Sequence, residues 1–390
     1  MYRKVSGFKC YPQFMVCLIL GVIVIFPYAV RAADEFCPLT HNKSGIRAVS
    51  PQSVTTTDGS LLLWSTSLSI DEMKELTGIQ YHPVRVWQRI SYMILPPHLQ
   101  SIGPTLNNTT AVLQRAVGDI CACTLDTNSG LLAIAVETES GVSPFELQIF
   151  SWVYDQQRLH ISDMPLVIFR GARDASFTLH NGNIYLAYST MTFSDKKSNL
   201  TLSISKDKGQ TWSTAQLAEY QGNSPKLISD GNNLLLFFQR FNTAQQQLAL
   251  VNIQSIDHGL TWSNAKTVIG TGLLQYSLTV AKDHTFYLLF SKLERDFQWD
   301  SGACKVTAAF DSYKLTSFWL AKSNDVGNNW STPKQLTEGK YADHYPFAFC
   351  ADNTLLGILF ARIENADRNT KTLYSDIYYG EIDNTDYNVK

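Results

Sequence analysis

The sequence predicts an all-β fold, a six-bladed β-propeller of four-stranded antiparallel blades, and three observations predict it. Aromatic residues make up 12% of the chain, and flat rings pack well on pleated surfaces. A tight-turn signal between two alternating apolar runs recurs six times. An eight-residue motif then recurs three times in phase with those turns.

The six turn segments are Ser53–Ser65 around Asp58-Gly59, Cys123–Glu137 around Asn128-Ser129-Gly130, Phe177–Ser189 around Asn181-Gly182, Lys226–Gln239 around Asp230-Gly231, Leu278–Ser291 around Asp283-His284, and Phe347–Ala361 around Asp352-Asn353. Asp-Gly and Asn-Gly favour the left-handed backbone of tight hairpin turns, so each segment reads as two antiparallel strands. The turns are spaced by 70, 53, 49, 53 and 69 residues. That leaves room for two more strands per unit, and four-stranded units repeated radially make a propeller.

The chain has 390 residues, 45% hydrophobic and 17% charged, which excludes a disordered or collagen-like polymer. A formal charge of −2 without a basic cluster excludes a nucleic-acid partner, because neutralising phosphates needs an excess of Lys and Arg. At the N-terminus, Arg3, Lys4 and Lys9 precede an apolar run from Phe14 to Phe26, followed by Pro27 and Ala29-Val30-Arg31-Ala32-Ala33. This is the order of a secretory signal peptide, with cleavage expected after Ala32. The rival reading is an uncleaved anchor, but a helix this short rises about 20 Å, less than the ~30 Å hydrocarbon core. Cleavage leaves 28 basic against 34 acidic residues, a net charge of −6, and no other run apolar enough to span a bilayer. The expected organisation is a signal peptide over 1–32, an N-terminal segment over 33–43, the propeller over 44–383 and a tail over 384–390. The product is secreted or otherwise outside the cytoplasm.

Five cysteines would remain (Cys37, Cys121, Cys123, Cys304, Cys350), too scattered for a disulfide scaffold. Cys121 and Cys123, two apart on an expected strand, point to one face. The eight histidines are isolated and no Cys-x-x-Cys occurs, so neither a metal site nor a cofactor is expected.

The eight-residue motif is Ser205-Lys206-Asp207-Lys208-Gly209-Gln210-Thr211-Trp212, repeated as Ser255–Trp262 and Ser323–Trp330, with the pattern S-x-D-x-G-x-[TN]-W. The Asp can accept turn N–H groups, the Gly supplies a positive φ, and the Trp covers the hairpin as an apolar lid. If that lid is buried, Trp262→Ala should cost about 3–5 kcal/mol.

These are Asp-boxes, and through them the chain resembles the sialidase superfamily of six-bladed propellers over residues 44–383. The resemblance implies that the boxes are structural, so Asp207, Asp257 and Asp325 are not catalytic candidates. It also puts function on the opposite face, where chain segments enter each first strand and leave each second strand. Sialoside cleavage needs cations for the substrate carboxylate, a proton donor, and a nucleophile that does not repel an anion. The family uses three Arg, one Asp, and a Tyr activated by a Glu. Carried over by position, the resemblance implies Arg47, Arg240 and Lys314 as the substrate-binding cations, Asp71 as the acid and Tyr341 as the nucleophile, with Tyr345 its competitor. Lys314 keeps the charge but loses the bidentate fork. The family's Glu falls at Asn223 or Ser224, neither a base, which leaves Glu137, Glu139 or Asp343 as substitutes. Box propellers also serve without catalysis. Three readings therefore stay open: an exo-glycosidase of sialidase type with a variant site, a glycan-binding propeller, and a protein-interaction scaffold. The expected partner is a glycan or glycoconjugate, a sialylated one among the candidates, and the sequence leaves the oligomeric state open.

Overall fold

A computed structural model describes residues 17–19, 22–24, 36–40, 48–67, 88–95, 108–113, 116–138, 145–190, 198–242, 247–270, 272–296, 314–350, 355–367 and 372–383. Six antiparallel sheets follow one another along the chain as the blades of a propeller. Blade I comprises Ala48–Thr56, Gly59–Ser67, Gln88–Leu95 and Asn108–Leu113. Blades III, IV and V repeat this up-and-down order from Ala172, Asn223 and Leu273. Each hairpin expected from a turn signal is present as the first two strands of a blade. Asn181 and Gly182, both at positive φ, make the turn of blade III. No helix of the described residues is long and apolar enough to cross a membrane. Cys17–Ile19 and Val22–Val24 form a short antiparallel pair of their own, separate from the blades.

Two blades differ from the simple repeat. In blade II the outer position is split, because Arg158–Ile161 and Val167–Arg170 each pair with a different half of Phe145–Asp155. In blade VI the fourth strand is Cys37–Pro38, which pairs with Thr372–Asp383. Residues 36–40, in the segment that the sequence reading set ahead of the propeller, therefore pack into blade VI. Closing the ring with strands from both ends of the chain leaves no terminal blade exposed. Leu39 donates its N–H to the Ile377 carbonyl at 2.7 Å, the Thr40 hydroxyl donates to Asp376 at 2.6 Å, and Ile377 N–H donates back to Thr40 at 3.0 Å. Phe36 packs edge-on against Phe360.

The core is six apolar clusters, one between each pair of neighbouring blades. A second strand is covered on both faces, so it reads as a continuous apolar run. In blade IV, Leu234, Leu236 and Phe238 face blade III while Leu235 and Phe237 face blade V. Fully burying one such side chain contributes roughly 1.5–3 kcal/mol. Cys121 and Cys123 share the face toward blade III, and burial raises both thiol pKa values.

The three boxes have one geometry. In the first, Gly209 N–H donates to Ser205 Oγ at 2.8 Å, and Ser205 Oγ donates to Asp207 at 2.8 Å. Thr211 donates to the same carboxylate through N–H at 2.9 Å and Oγ1 at 2.5 Å. These bonds hold Asp207, Asp257 and Asp325 at a pKa of about 2. Trp212 and Trp330 donate Nε1–H to the box glycine carbonyl at 2.9 and 3.0 Å. All three indoles are half-buried at the edge of an inter-blade cluster rather than sealed inside it. A fully buried lid is thus too strong a description: the box lies outside the ring of strands, and its ring covers only the cluster's rim.

Strand alternation places the first hairpin turns and the boxes at one end of the blades. Contacts there confirm it: Thr57 N–H donates to Asn128 Oδ1 of the next turn at 3.0 Å, and the blade III turn touches the blade IV box through His180 and His258. The opposite end carries the starts of the first strands and the ends of the second.

Candidate functional site

At the end opposite the boxes, the inner strands share a defect. Register slips by a bulge between Val49 and Gln52, Ala116 and Ile120, Arg173 and Ser176, Asn223 and Lys226, Leu273 and Tyr276, and His344 and Phe347. A bulge turns side chains and backbone out of the ladder. In four blades a non-glycine residue there takes a left-handed conformation: Ser50 at φ 56°, Asp174 at 53°, Ser224 at 51° and Tyr345 at 56°. Such residues are uncommon, strained by about 1–3 kcal/mol each, and concentrate at functional sites. All four line one cavity of about 260 Å³ on the propeller axis, with Gln52, Lys226, Gln275 and Tyr276.

The sequence carried a signal for this that the hairpin repeat hid. Ser50-Pro51, Ser224-Pro225 and Tyr345-Pro346 put a proline directly after the left-handed residue in three blades, five to seven residues before the turn. All three prolines are buried.

Side chains staple the inner strands around the cavity. Ser176 Oγ accepts from Leu227 N–H at 2.9 Å, Ser277 Oγ accepts from Ala348 N–H at 3.1 Å, and Gln275 Oε1 accepts from Tyr345 N–H at 2.7 Å. Tyr276 donates its hydroxyl to the Ser224 carbonyl at 2.6 Å. Burial, reinforced by the charge of Asp174, raises that phenol's pKa well above normal, so it remains a neutral donor. Asp174 accepts from Ser189 Oγ at 2.8 Å and lies 3.5 Å from Arg173 Nε. Lys226, half-buried in the wall, has no carboxylate within ion-pair distance among the described residues. Asn223 Oδ1, at the start of the same strand, is buried without a hydrogen-bond donor. The described cavity wall therefore offers one cation outside ion-pair distance of any described carboxylate, one carboxylate, amides, hydroxyls and three aromatic residues.

Tyr341 stands at the start of blade VI, 43% exposed, with the Arg362 guanidinium 3.8 Å from its ring centroid. Arg362 is buried and grips Asp343 with two bonds, Nε to Oδ1 at 2.7 Å and Nη2 to Oδ2 at 3.0 Å. Burial alone would lower the guanidinium's hold on its proton, but the bonds and charge of Asp343 outweigh it and the net shift is upward. Asp343 is thus committed to Arg362. Tyr345, not Tyr341, contributes to the cavity wall. Ser224, where the family's Glu would fall, is in the wall with no acid in its place.

The other expected residues are dispersed or lie outside the description. Arg47 and Asp71 fall outside the described residues, as does Glu139. Arg240 is exposed near the end of the second strand of blade IV, at the cavity's end of the molecule but not in its wall. Lys314 opens the third strand of blade V opposite Asp296. That is four residues beyond the Leu273–Lys292 pair on an outward-reaching hairpin, roughly 13 Å past the mouth at strand rise. The last two boxes are 68 residues apart against 50 for the first two, which predicts an insertion in blade V over residues 292–312; of these, 297–312 lie outside the described residues. Glu137 is exposed at the end of its strand in blade II. Sequence reasoning reached Ser224 as the place of the absent Glu, Tyr345 as the competitor of Tyr341, and Asp174 only as the end of the segment Arg170–Asp174 that enters blade III on the face opposite the boxes; it missed Gln52, Lys226, Gln275 and Tyr276. Among the described residues no three His, Cys, Asp or Glu side chains converge as metal ligands.

Comparison with known proteins tests the architecture. The family model described as BNR repeat-like domain matches residues 149–358, more than half the chain and the stretch that holds all three boxes. The chain belongs to the BNR repeat-like domain family. No curated protein matches its sequence. Among solved structures, this BNR repeat-like chain is similar to a protein of unknown function from Dyadobacter fermentans, with a TM-score of 0.56 and 11% identity over 89% of this chain and 98% of that one. It is similar to a Trypanosoma rangeli sialidase held as a covalent intermediate with 2,3-difluorosialic acid, TM-score 0.52 and 12% identity over 90% of this chain and 58% of the sialidase. A Fusarium graminearum α-L-arabinofuranosidase bound to arabinobiose gives 0.55 and 10% over 88% and 96%. Identities this low establish the shared fold.

Proposed function

We propose that this protein is a secreted, glycan-directed propeller that takes a terminal acidic sugar into the axial cavity and hydrolyses sialosides slowly if at all. The observation that carries the reading is Lys226, half-buried and with no carboxylate within ion-pair distance among the described residues, in a cavity built by four strained residues. A sugar carboxylate supplies the missing charge, a charge-assisted bond of the stronger kind. Gln52, Gln275 and Asp174 supply the mixture of donors and acceptors that sugar hydroxyls need. The similar sialidase and arabinofuranosidase structures, both holding sugar-derived ligands, support a glycan as the ligand class.

Slow chemistry follows from what stands around the tyrosines. A retaining glycosidase needs two acidic groups, or a nucleophile with a base beside it. Asp174 is the one carboxylate in the cavity wall among the described residues, and Asp343 is occupied by Arg362. The test pairs a fluorogenic sialoside assay with calorimetric titration of a non-hydrolysable sialoside and its uncharged counterpart. Binding of the charged sugar, with turnover about 10²–10⁴-fold below that of a fully equipped sialidase, is expected. Rapid turnover, or equal binding of the uncharged sugar, would overturn the reading.

A further inference from the structure

At the box end, far from the cavity, two histidines meet between blades III and IV. His180 Nε2 lies 2.8 Å from His258 Nδ1. The ring centroids are 5.1 Å apart, longer than the nitrogen separation by about two ring radii, so the nitrogens face each other head-on. That is hydrogen-bond geometry. A shared metal, about 2.0–2.1 Å from each nitrogen, would need the lone pairs to converge on a point off that line.

The nearest donor favours one placement of the proton. Asn181 Nδ2 lies 3.1 Å from His258 Nδ1 and 3.4 Å from His180 Nε2, and the shorter contact makes His258 Nδ1 the acceptor and His180 Nε2–H the donor. His180 Nδ1 then accepts from Ser229 Oγ at 2.8 Å, and Ser229 Oγ accepts from Gly231 N–H at 3.1 Å. Tyr185 sets its ring edge-on to His180 at 5.7 Å and donates its hydroxyl to the His258 carbonyl at 3.2 Å. The chain from Gly231 N–H through Ser229 and His180 to His258 Nδ1 is continuous with both rings neutral. His180 is nearly sealed, at 2% exposure. The charged groups facing it are Asp230 from the blade IV turn, itself faced by His284 from the blade V turn, and its partner His258.

We propose that this pair is a proton-sensitive latch between blades III and IV, held while at most one ring is charged and released when both are. One added proton can be shared along the Nε2 to Nδ1 line after a tautomer change. Two imidazolium rings would set N–H against N–H at 2.8 Å, with one of them buried. Burial and the neighbouring His258 depress His180's proton affinity, and Asp230 opposes them only in part. A histidine depressed below its ordinary pKa of 6.5 contributes stability that is complete above 6.5 and is lost as pH falls from there through its lower folded value. Release would loosen the blade III turn and the blade IV box while leaving the sugar cavity, at the other end of the strands, intact.

The sister boxes provide the controls. At the position of His258 (φ 60°) they carry Lys208 (φ 58°) and Val326 (φ 60°), so the box backbone accepts either side chain. The experiment is backbone hydrogen exchange at residues 178–185 and 255–261, corrected for intrinsic rates, at pH 7.5 and pH 5.0 for wild type, His258→Val and His258→Lys. Wild-type protection should fall about tenfold or more at the lower pH, the scale of one pH unit of linkage. Both variants should be weakly protected at either pH. Wild-type protection that does not change with pH, or the same pH-dependent fall in the variants, would overturn the latch.

Discussion

Asp207, Asp257 and Asp325 show how one residue type, placed in a fixed frame, acquires a structural task. Each carboxylate is half-buried and collects donors from Ser, from a backbone N–H and from Thr or Asn four residues on, which lowers its pKa to about 2. The folded value lies below the ordinary 3.8, so the contribution to stability is complete above that pH and disappears as pH falls toward 2. Thermal melting followed from pH 5 to pH 2 should show a steep decline for wild type and a shallower one for Asp257→Asn, which has no charge to lose. Equal slopes would mean the box bonds form as readily to the protonated acid. The box was legible in the sequence because its chemistry is local: every partner lies within eight residues. Lys226 was not legible, since its role depends on what fails to stand beside it in space.

At the scale of strands and turns, the six hairpins were readable because a tight turn forces left-handed residues and so selects Asp, Asn and Gly. The outer strands left no such trace. Arg158–Ile161, Val167–Arg170 and Cys37–Pro38 are two to four residues long and take their pairing from the strand beside them. The bulges that build the cavity were visible only as a proline repeated in three blades, a pattern with meaning once the strands are aligned. The box indoles, half-buried, lead to a prediction that separates two of them. Trp212 packs on Phe169 and Phe177 and bonds Gly209, whereas Trp262 Nε1 is buried without an acceptor. Trp212→Ala should cost about 2–4 kcal/mol, and Trp262→Ala about 1 kcal/mol less because it also removes an unsatisfied donor. Denaturant unfolding of the two variants checks the order, and a larger loss for Trp262→Ala would refute it.

For the whole molecule, closure sets the integrity of the ring and the cavity sets its use. Closure rests on Thr40, whose hydroxyl both donates to Asp376 and accepts from Ile377 N–H in a buried setting. Thr40→Val keeps the shape and removes both bonds, and a loss of about 1–3 kcal/mol is expected. That loss should lower the midpoint of the entire transition, and a separate early melting of blade VI alone would show that closure is local. The fold needed only the repeat to be foreseen. The site did not follow as directly, because resemblance pointed to Arg47 and Asp71, outside the described residues, and to Arg240, Lys314 and Tyr341, outside the cavity wall, while the described cavity is walled by the inner strands. The most direct test of that cavity is titration calorimetry of a non-hydrolysable sialoside into wild type and Lys226→Met. Removing the cation should weaken binding at least tenfold, as for a charge-assisted hydrogen bond worth about 1.5–3 kcal/mol, and leave the affinity for an uncharged analogue unchanged. Equal affinity of both proteins for the sialoside would contradict the account.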